Sequence, residues 1–169
     1  MIHSDHPFRD PVPDPVRRLR GRLTGAVTLW ISEDSPRPAG LTVSSVMVAA
    51  GEPAYLLALL DPDADLTDAL RASGSAVVHL LQWRDRALAD VLAGLAPAPG
   101  GAFAGTDLVP TRWGPRLADA GSWAGVVLRE ERPVGWSVLV TCEIEELELG
   151  EEDEPLVHRR GRYQEPPRS

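Results

Sequence analysis

A short run of small hydroxyl residues is the part of the sequence best suited to contact a ligand. Residues 40–45 read Gly-Leu-Thr-Val-Ser-Ser. Side chains alternate between the two faces of a strand, so Thr42 and Ser44 share one face. The other face carries the remaining side chains of the run, Leu41, Val43 and Ser45. Hydroxyls placed this way can hydrogen-bond ligand heteroatoms beside a flat ring. A plain strand with two exposed hydroxyls explains the same residues, and short motifs are weak evidence.

Other kinds of site find little support. The four histidines and the single cysteine match no metal-ligand spacing, so we expect no metal. There is no Gly-x-Ser-x-Gly nucleophile motif, no Gly-x-Gly-x-x-Gly and no P-loop. Cys142 lies inside an apolar run, which predicts a buried, unreactive thiol. No catalytic side chain of the protein itself stands out.

The charge balance narrows the range of partners. The 169 residues include 25 acids and 17 bases, a formal net charge of −8. Such a surface repels nucleic acid and anionic membranes, and we expect neither as a partner. Two basic clusters interrupt it, at 17–22 and 159–162. Solvated faces explain both, and binding of a phosphate or a partner is the alternative.

The length predicts one domain, residues 14–165. Residues 1–13 are polar and proline-rich and predict a flexible tail, as do residues 166–169. The N-terminal stretch has no apolar signal core, and no run approaches the roughly 20 apolar residues that cross a bilayer. We expect a soluble, cytoplasmic protein.

Mostly short strands must position the candidate residues. Apolar runs predict strands over 26–31, 39–49, 54–60, 75–81, 122–128, 136–149 and 155–163. Helices are predicted over 15–23 behind the cap Asp14, over 66–73 between the cap Asp65 and the stop Gly74, and over 83–92. Neighbouring hairpins of this kind favour a mainly β fold, an antiparallel barrel with a few short flanking helices.

One strand carries a sign of strong curvature. Alternating apolar side chains occupy even positions from Val138 to Ile144, but Leu147 and Leu149 occupy odd ones. A strand that changes face in this way needs a bulge or a sharp bend, as closed barrels do. We expect it near Glu146.

Six short motifs follow one another along nearly the whole chain. They are GLTVSS, EPAYLLALLD, ALRASG, AVVHLL, GAFAG and PLVHRRGRY. Their order and spacing, from Arg17 to Tyr163, resemble the flavin reductase-like family of the FMN-binding split-barrel superfamily. Corresponding stretches of that family read G-L-T-A-S-S, P-P-L-V-L-V-C-L-D, L-R-E-S-G, F-A-V-N-V-L and P-L-V-Y-H-R-G-R-Y.

The resemblance implies a split-barrel homodimer with FMN, or FAD, near the interface. NAD(P)H would be the transient substrate that delivers a hydride to the flavin. A monooxygenase that uses the reduced flavin is a further implied partner. The residues predicted to lie at the cofactor are Leu41, Thr42, Val43, Ser44, Ser45, Asp61, Asp63, Ala64, Asp65, Leu66, His79, Phe103, Trp136 and His158. Among them the hydroxyl strand would meet the ring or ribityl chain, and the loop 61–67 the phosphate.

The phosphate loop departs from the family pattern. Where the family reads S-S-R-T, this chain has Asp63, Ala64, Asp65 and Leu66. Two carboxylates repel a phosphate unless cations intervene, although the N-terminus of the following helix offers free N–H groups. Arg17, Arg18 or an arginine from a second subunit can supply the missing charge.

The nicotinamide region departs as well. A family stretch G-D-H-T is replaced by residues 134–137, Val-Gly-Trp-Ser. The following residues resemble the pyridoxamine-phosphate-oxidase-like branch of the same superfamily. Trp136 can stack on a ring or belong to the core. His79 stands where the family has asparagine, and it can hydrogen-bond the ligand or sit satisfied in the wall.

Three functions therefore stay open: an NAD(P)H-dependent flavin reductase, a flavin- or other ligand-binding protein without turnover, and a dimeric barrel that binds no flavin. Fold analogy indicates the position of a site better than its activity.

Overall fold

The computed structural model of the protein describes residues 14–34, 36–151 and 154–167. The predicted tail 1–13 lies outside the described residues, as do the last two residues of the predicted C-terminal tail. No helix in the described ranges is long and apolar enough to cross a membrane.

The described chain is dominated by antiparallel strands, as expected. The strands are β1 Gly25–Ala26, β2 Thr28–Glu33, β3 Pro38–Val43, β4 Val46–Ala49, β5 Tyr55–Leu60, β6 Ser75–Leu80, β7 Leu108–Thr111, β8 Gly114–Leu117, β9 Trp123–Val134, β10 Ser137–Glu148, β11 Val157–Arg159 and β12 Arg162–Gln164. The helices are α1 Pro15–Arg22, α2 Asp65–Ser73 and α3 Arg86–Leu92, the last preceded by a 3-10 turn, Trp83–Asp85.

The strand order requires the main sheet to curl on itself. Its neighbours run β3-β2-β6-β9-β10-β5-β4, so β3 and β4 lie at opposite ends. Only Ser44 and Ser45 separate these two strands in the chain. Three residue steps span at most about 11 Å, so the two ends of the sheet must meet there and close a barrel. Ser45 extends the pairing of β4 with β5 up to this seam, because its carbonyl accepts from the Leu59 N–H at 3.2 Å and its Oγ donates to the Leu59 carbonyl at 2.8 Å.

Two apolar clusters lie on the two faces of β2. Trp30 and Val43 belong to the cluster that fills the barrel. Leu29 and Ile31 belong to a second cluster outside it, under α3 and the segment before β11. Burial on both faces explains why Leu29, Trp30 and Ile31 follow one another in β2 with no polar residue between them.

Helix α2 begins one residue earlier than the sequence indicates. Its cap is Ala64, not Asp65, and Asp65 lies in the first turn. The Thr67 hydroxyl ties the turn to the Asp61 carbonyl at 2.7 Å. Gly74 ends the helix in the left-handed conformation, as predicted, with φ 77°.

Several predicted boundaries change. The run 39–49 breaks into two strands at the seam, and 155–163 is a hairpin rather than one strand. The β7–β8 hairpin was not predicted. The expected irregularity in β10 is confirmed, since its register against β9 shifts between Ile144 and Glu146, with a second shift between Thr141 and Cys142. Cys142 is buried, as expected.

Candidate functional site

One cleft brings together residues that are far apart in the sequence. It has a volume of about 390 Å³, within the range of small-molecule sites. Its lining is Val27, Thr42, Ser44, Asp90, Ala93, Leu95, His158, Gly161, Arg162 and Tyr163. Three of the predicted site residues, Thr42, Ser44 and His158, therefore share one concave surface next to the barrel seam.

The alternation of β3 decides which residues reach this cleft. Leu41 and Val43 pack with the barrel core, and Thr42 points to the opposite side with Ser44. This is the alternation that the sequence predicts for the run. Ser45 does not line the cleft, and its hydroxyl donates to the Leu59 carbonyl on β5.

The final hairpin supplies the opposite wall. His158 pairs with Gly25, and its ring meets that of Tyr163 edge-on with centroids 6.0 Å apart. Partial burial, and then the charge of Arg20, lower the pKa of His158. Burial and the Asp90 carboxylate raise the pKa of the Tyr163 phenol, which stays a hydrogen-bond donor at neutral pH.

Phe103 packs against β3, the strand that carries Thr42 into the cleft. It packs against Gly40 so closely that a Cβ there would lie 2.5 Å from the phenyl Cζ and 3.0 Å from a Leu92 methyl. Phe103 belongs to the cluster outside the barrel and is not among the cleft-lining residues. Its contact is with the strand that carries Thr42.

The loop 61–66 is bonded to itself rather than open to an anion. The Asp61 carboxylate accepts the Asp63 N–H at 2.9 Å, and the Asp61 carbonyl accepts the Ala64 N–H at 3.2 Å. Asp63 and Asp65 are exposed, and Leu66 is buried in the core. Arg71 on α2 is already engaged by Glu131 at 3.0 Å.

These features do not fit a phosphate in the loop 61–66. The N–H groups of two loop residues are used, and the helix N-terminus is already compensated by two acids of its own first turn, Asp65 and Asp68. An added phosphate would meet carboxylates rather than cations. The larger cleft, by contrast, combines apolar side chains with the Thr42 and Ser44 hydroxyls, which are groups that can contact the ring of a flavin.

Trp136 lies at the tip of the β9–β10 hairpin. Its side chain is 71% exposed, so it is not a core residue. It lines a second, smaller cleft of about 210 Å³ together with Pro62, next to the acidic loop. Of the predicted site residues, Thr42, Ser44 and His158 line the larger cleft and Trp136 lines the smaller one. The others line neither cleft.

His79 is a core residue and does not face either cleft. It is 1% exposed, and both ring nitrogens contact the backbone. Nδ1 is 3.0 Å from the Leu29 carbonyl, and Nε2 accepts the Leu117 N–H at 3.1 Å. The Nδ1–H tautomer satisfies both contacts, which leaves no ring nitrogen for a ligand. Burial lowers its pKa to about 4.

Sequence reasoning missed several residues of the larger cleft. Asp90, Ala93 and Leu95 come from α3 and the loop after it, where nothing in the sequence marks a ligand contact. Arg162 and Tyr163 belong to the final PLVHRRGRY motif, which could have indicated them.

The fold and the cleft at the seam define the class, an antiparallel split barrel. Solved structures share this fold. Nitrilotriacetate monooxygenase component B from Mycobacterium thermoresistibile superposes with a TM-score of 0.80 at 22% identity, over 88% of this chain and 83% of that one. The NADH:FAD oxidoreductase SgcE6 of Streptomyces globisporus C-1027 gives 0.80 at 20% identity, over 94% and 99%.

Within that class, the chain belongs to the flavin reductase like domain family, whose model matches residues 20–167. It is also similar to the FMN reductase (NADH) RutF of Agrobacterium fabrum. The two are 24% identical over 147 residues, which cover 87% of this chain and 84% of the relative.

Proposed function

We propose that the protein is an NAD(P)H-dependent flavin reductase that binds FMN, or FAD, with the ring in the larger cleft. The observation that carries this proposal is the convergence of Thr42, Ser44 and His158 on one concave surface. Family membership supports it, as do similar proteins named as FMN reductase (NADH) and NADH:FAD oxidoreductase.

Each side of the cleft has a distinct part in holding the ring. The Thr42 and Ser44 hydroxyls donate to or accept from polar ring atoms, and Val27 and Leu95 cover apolar ones. The phenol of Tyr163 and the ring of His158 close the far wall. When bound, flavin supplies the hydride-accepting chemistry, so the protein needs no nucleophile of its own.

Trp136 is proposed as a stacking surface for the nicotinamide. An exposed indole at a hairpin tip offers a flat face in a position where the family has a histidine. The second cleft beside it shares no lining residue with the first. Trp136 would therefore act across the interface of a dimer, on the cofactor of the other subunit.

A homodimer would also cover apolar surface at the seam. β4 is the last strand of the sheet, and its Met47 and Val48 are 61% and 68% exposed. Val16, Leu19 and Leu23 form a further exposed apolar row on α1 and its C-cap. A second copy of the chain is the occupant that the family suggests for these surfaces.

A monooxygenase-type partner is proposed from the names of two similar structures. One is a monooxygenase component B, and the other, BorF, is the flavin reductase component of a bacterial two-component tryptophan halogenase. Reduced flavin leaving the open cleft would be the species passed to such a partner.

Binding without turnover is the second candidate. The acidic loop and the replacement of the family's histidine by Trp136 favour it, because both changes affect residues assigned to nucleotide handling. A yellow protein, or tight FMN binding, with negligible NAD(P)H oxidation would support this candidate.

The test is the absorbance spectrum of the purified protein, then FMN titration, then NADH and NADPH oxidation with FMN, FAD and riboflavin. The double variant Thr42→Val with Ser44→Ala should weaken FMN binding and lower turnover. Thr141→Val, on β10 away from the cleft, is the matched control. Absence of flavin binding and of NAD(P)H oxidation with every flavin would overturn both candidates.

A further inference from the structure

Two basic segments far apart in the sequence form one surface in the fold. One is α1 and the other is the β11–β12 hairpin. The Arg160 N–H donates to the Gly21 carbonyl at 2.6 Å, which docks the hairpin turn on α1. The arginines collected in this way, here called the arginine cluster, are Arg17, Arg18, Arg20, Arg22, Arg159, Arg160 and Arg162. They are seven of the 17 basic residues of a chain whose formal charge is −8.

The arginine cluster borders the larger cleft. Arg162 lines it, and the charge of Arg20 acts on His158 in its wall. Asp90 is the carboxylate among the lining residues. A ligand in this cleft therefore has Arg162 in one wall and Asp90 in the lining, with the other arginines of the cluster on the segments beside it.

Much of this charge is uncompensated within the described residues. Acids pair with the arginines of the β9–β10 region, such as Arg129 with Glu143 at 2.7 Å. In the arginine cluster, by contrast, no carboxylate of the described chain forms an ion pair with Arg18, Arg22, Arg159, Arg160 or Arg162. Five neighbouring guanidinium groups that form no ion pair with the described chain raise the local positive potential and attract an anion.

The turn itself carries an arginine where the backbone favours another residue. Arg160 and Gly161 both have positive φ, 52° and 77°. Asn-Gly suits such a two-residue hairpin turn, and a long side chain in the left-handed region is strained. The turn conformation therefore does not account for an arginine at position 160.

We propose that the arginine cluster binds a nucleotide phosphate beside the larger cleft, in place of the loop 61–66. This inference rests on the proposed function. The guanidinium fork matches phosphate oxygens in a bidentate way. The monoester of FMN and the diphosphate of FAD or NAD(P)H share this chemistry, and the acidic loop offers no equivalent.

The test compares riboflavin, which has no phosphate, with FMN and FAD. Arg160→Asn with Arg162→Gln removes two charges and keeps a residue suited to the turn. We expect FMN affinity to fall about 10-fold or more, as loss of charge-assisted hydrogen bonds does, and riboflavin affinity to stay unchanged. Added salt should weaken FMN binding to the natural protein more than riboflavin binding. Arg37→Gln is the matched control and should change neither affinity, because Arg37 directly precedes β3, at the end of that strand remote from Thr42.

Further arms identify the nucleotide and separate the two failures. A larger loss for FAD than for FMN points to the diphosphate, and a raised KM for NADH at unchanged FMN affinity points to the nicotinamide dinucleotide. Either result supports phosphate binding by the arginine cluster.

Equal FMN affinity in the double variant and the natural protein, with the KM for NADH also unchanged, overturns this proposal but does not affect the proposed flavin site. A second result would also overturn the proposal: an Asp63→Asn variant that binds FMN more tightly while its riboflavin affinity is unchanged. That result would place the phosphate at the loop 61–66. If no flavin binds the natural protein, the proposed function falls and this inference with it.

Discussion

Protonation of His79 should destabilise the fold below neutral pH. Its ring is buried and serves as donor to the Leu29 carbonyl and acceptor from the Leu117 N–H. A second proton would occupy Nε2, leave the Leu117 N–H without its acceptor and place a charge in the core. The unfolded chain pays neither cost.

The magnitude follows from the pKa. Burial lowers it from 6.5 to about 4, so the unfolded state takes up the proton first. Stability is complete above about pH 6.5 and falls as the pH drops towards 4. One pH unit below 6.5, the loss in the free energy of unfolding is about 1.4 kcal/mol. Over the whole interval it reaches about 3 kcal/mol.

Urea unfolding followed by tryptophan fluorescence, at about pH 7.5 and about pH 5.5, measures this loss. The carboxyl of Asp85 acts in the opposite sense, because burial raises its pKa and the folded state therefore gains stability from this group as the pH falls. His79→Gln should remove most of the difference between the two pH values, whereas His158→Gln should retain it. If His79→Gln does not fold, NMR of the natural protein provides the test instead. The chemical shifts of the His79 ring should remain those of a neutral imidazole at about pH 5.5.

An equal free energy of unfolding at the two pH values would refute the reasoning. So would an imidazole that titrates near 6.5 in the folded protein. Either result would mean that His79 is reached by solvent, and its role as a ligand contact would have to be reconsidered.

Three further predictions concern packing, reactivity and assembly. Gly40→Ala should lower the free energy of unfolding by about 1–3 kcal/mol in urea denaturation, because the new methyl meets the Phe103 ring; unchanged stability would contradict this contact. Burial raises the pKa of Cys142 to about 12, so a thiol reagent at about pH 8 should react only after denaturant is added, and fast reaction of the folded protein would contradict the burial. Light scattering should give twice the chain mass at micromolar concentration and the single mass for Met47→Asp with Val48→Asp; a strict monomer in the natural protein would argue against the dimer.

Much of the fold could be predicted because the apolar runs and turn residues of the sequence coincide with the buried strands and the helix ends of the structure. β5 and β6 are apolar runs of strand length between turn residues, and Gly74 supplies the left-handed stop of α2. The change of parity after Ile144 indicated the bulge in β10. The β7–β8 hairpin was not predicted, because Pro110, Gly114 and Pro115 are typical of a loop.

The candidate site could be predicted only where its residues share one motif. Alternation in the run 40–45 assigned Thr42 and Ser44 to one face from local geometry alone. The partners of that face come from α3 and from the final hairpin, about 50 and 115 residues further along the chain, and no periodicity links them. His79 looked like a ligand contact because the sequence does not show that two backbone groups would occupy its ring.

The sequence by itself determined the strand pattern, the family and the presence of two basic clusters and one acidic loop. These features depend on residue type and on spacing along the chain. Only the tertiary structure decided that the barrel closes at Ser44 and Ser45, that Trp136 is exposed, and that the two basic clusters meet beside the cleft. The physical reason is that these outcomes depend on contacts between segments distant in the chain. The burial and the electrostatic environment of a residue there depend on neighbours that a local sequence pattern cannot predict.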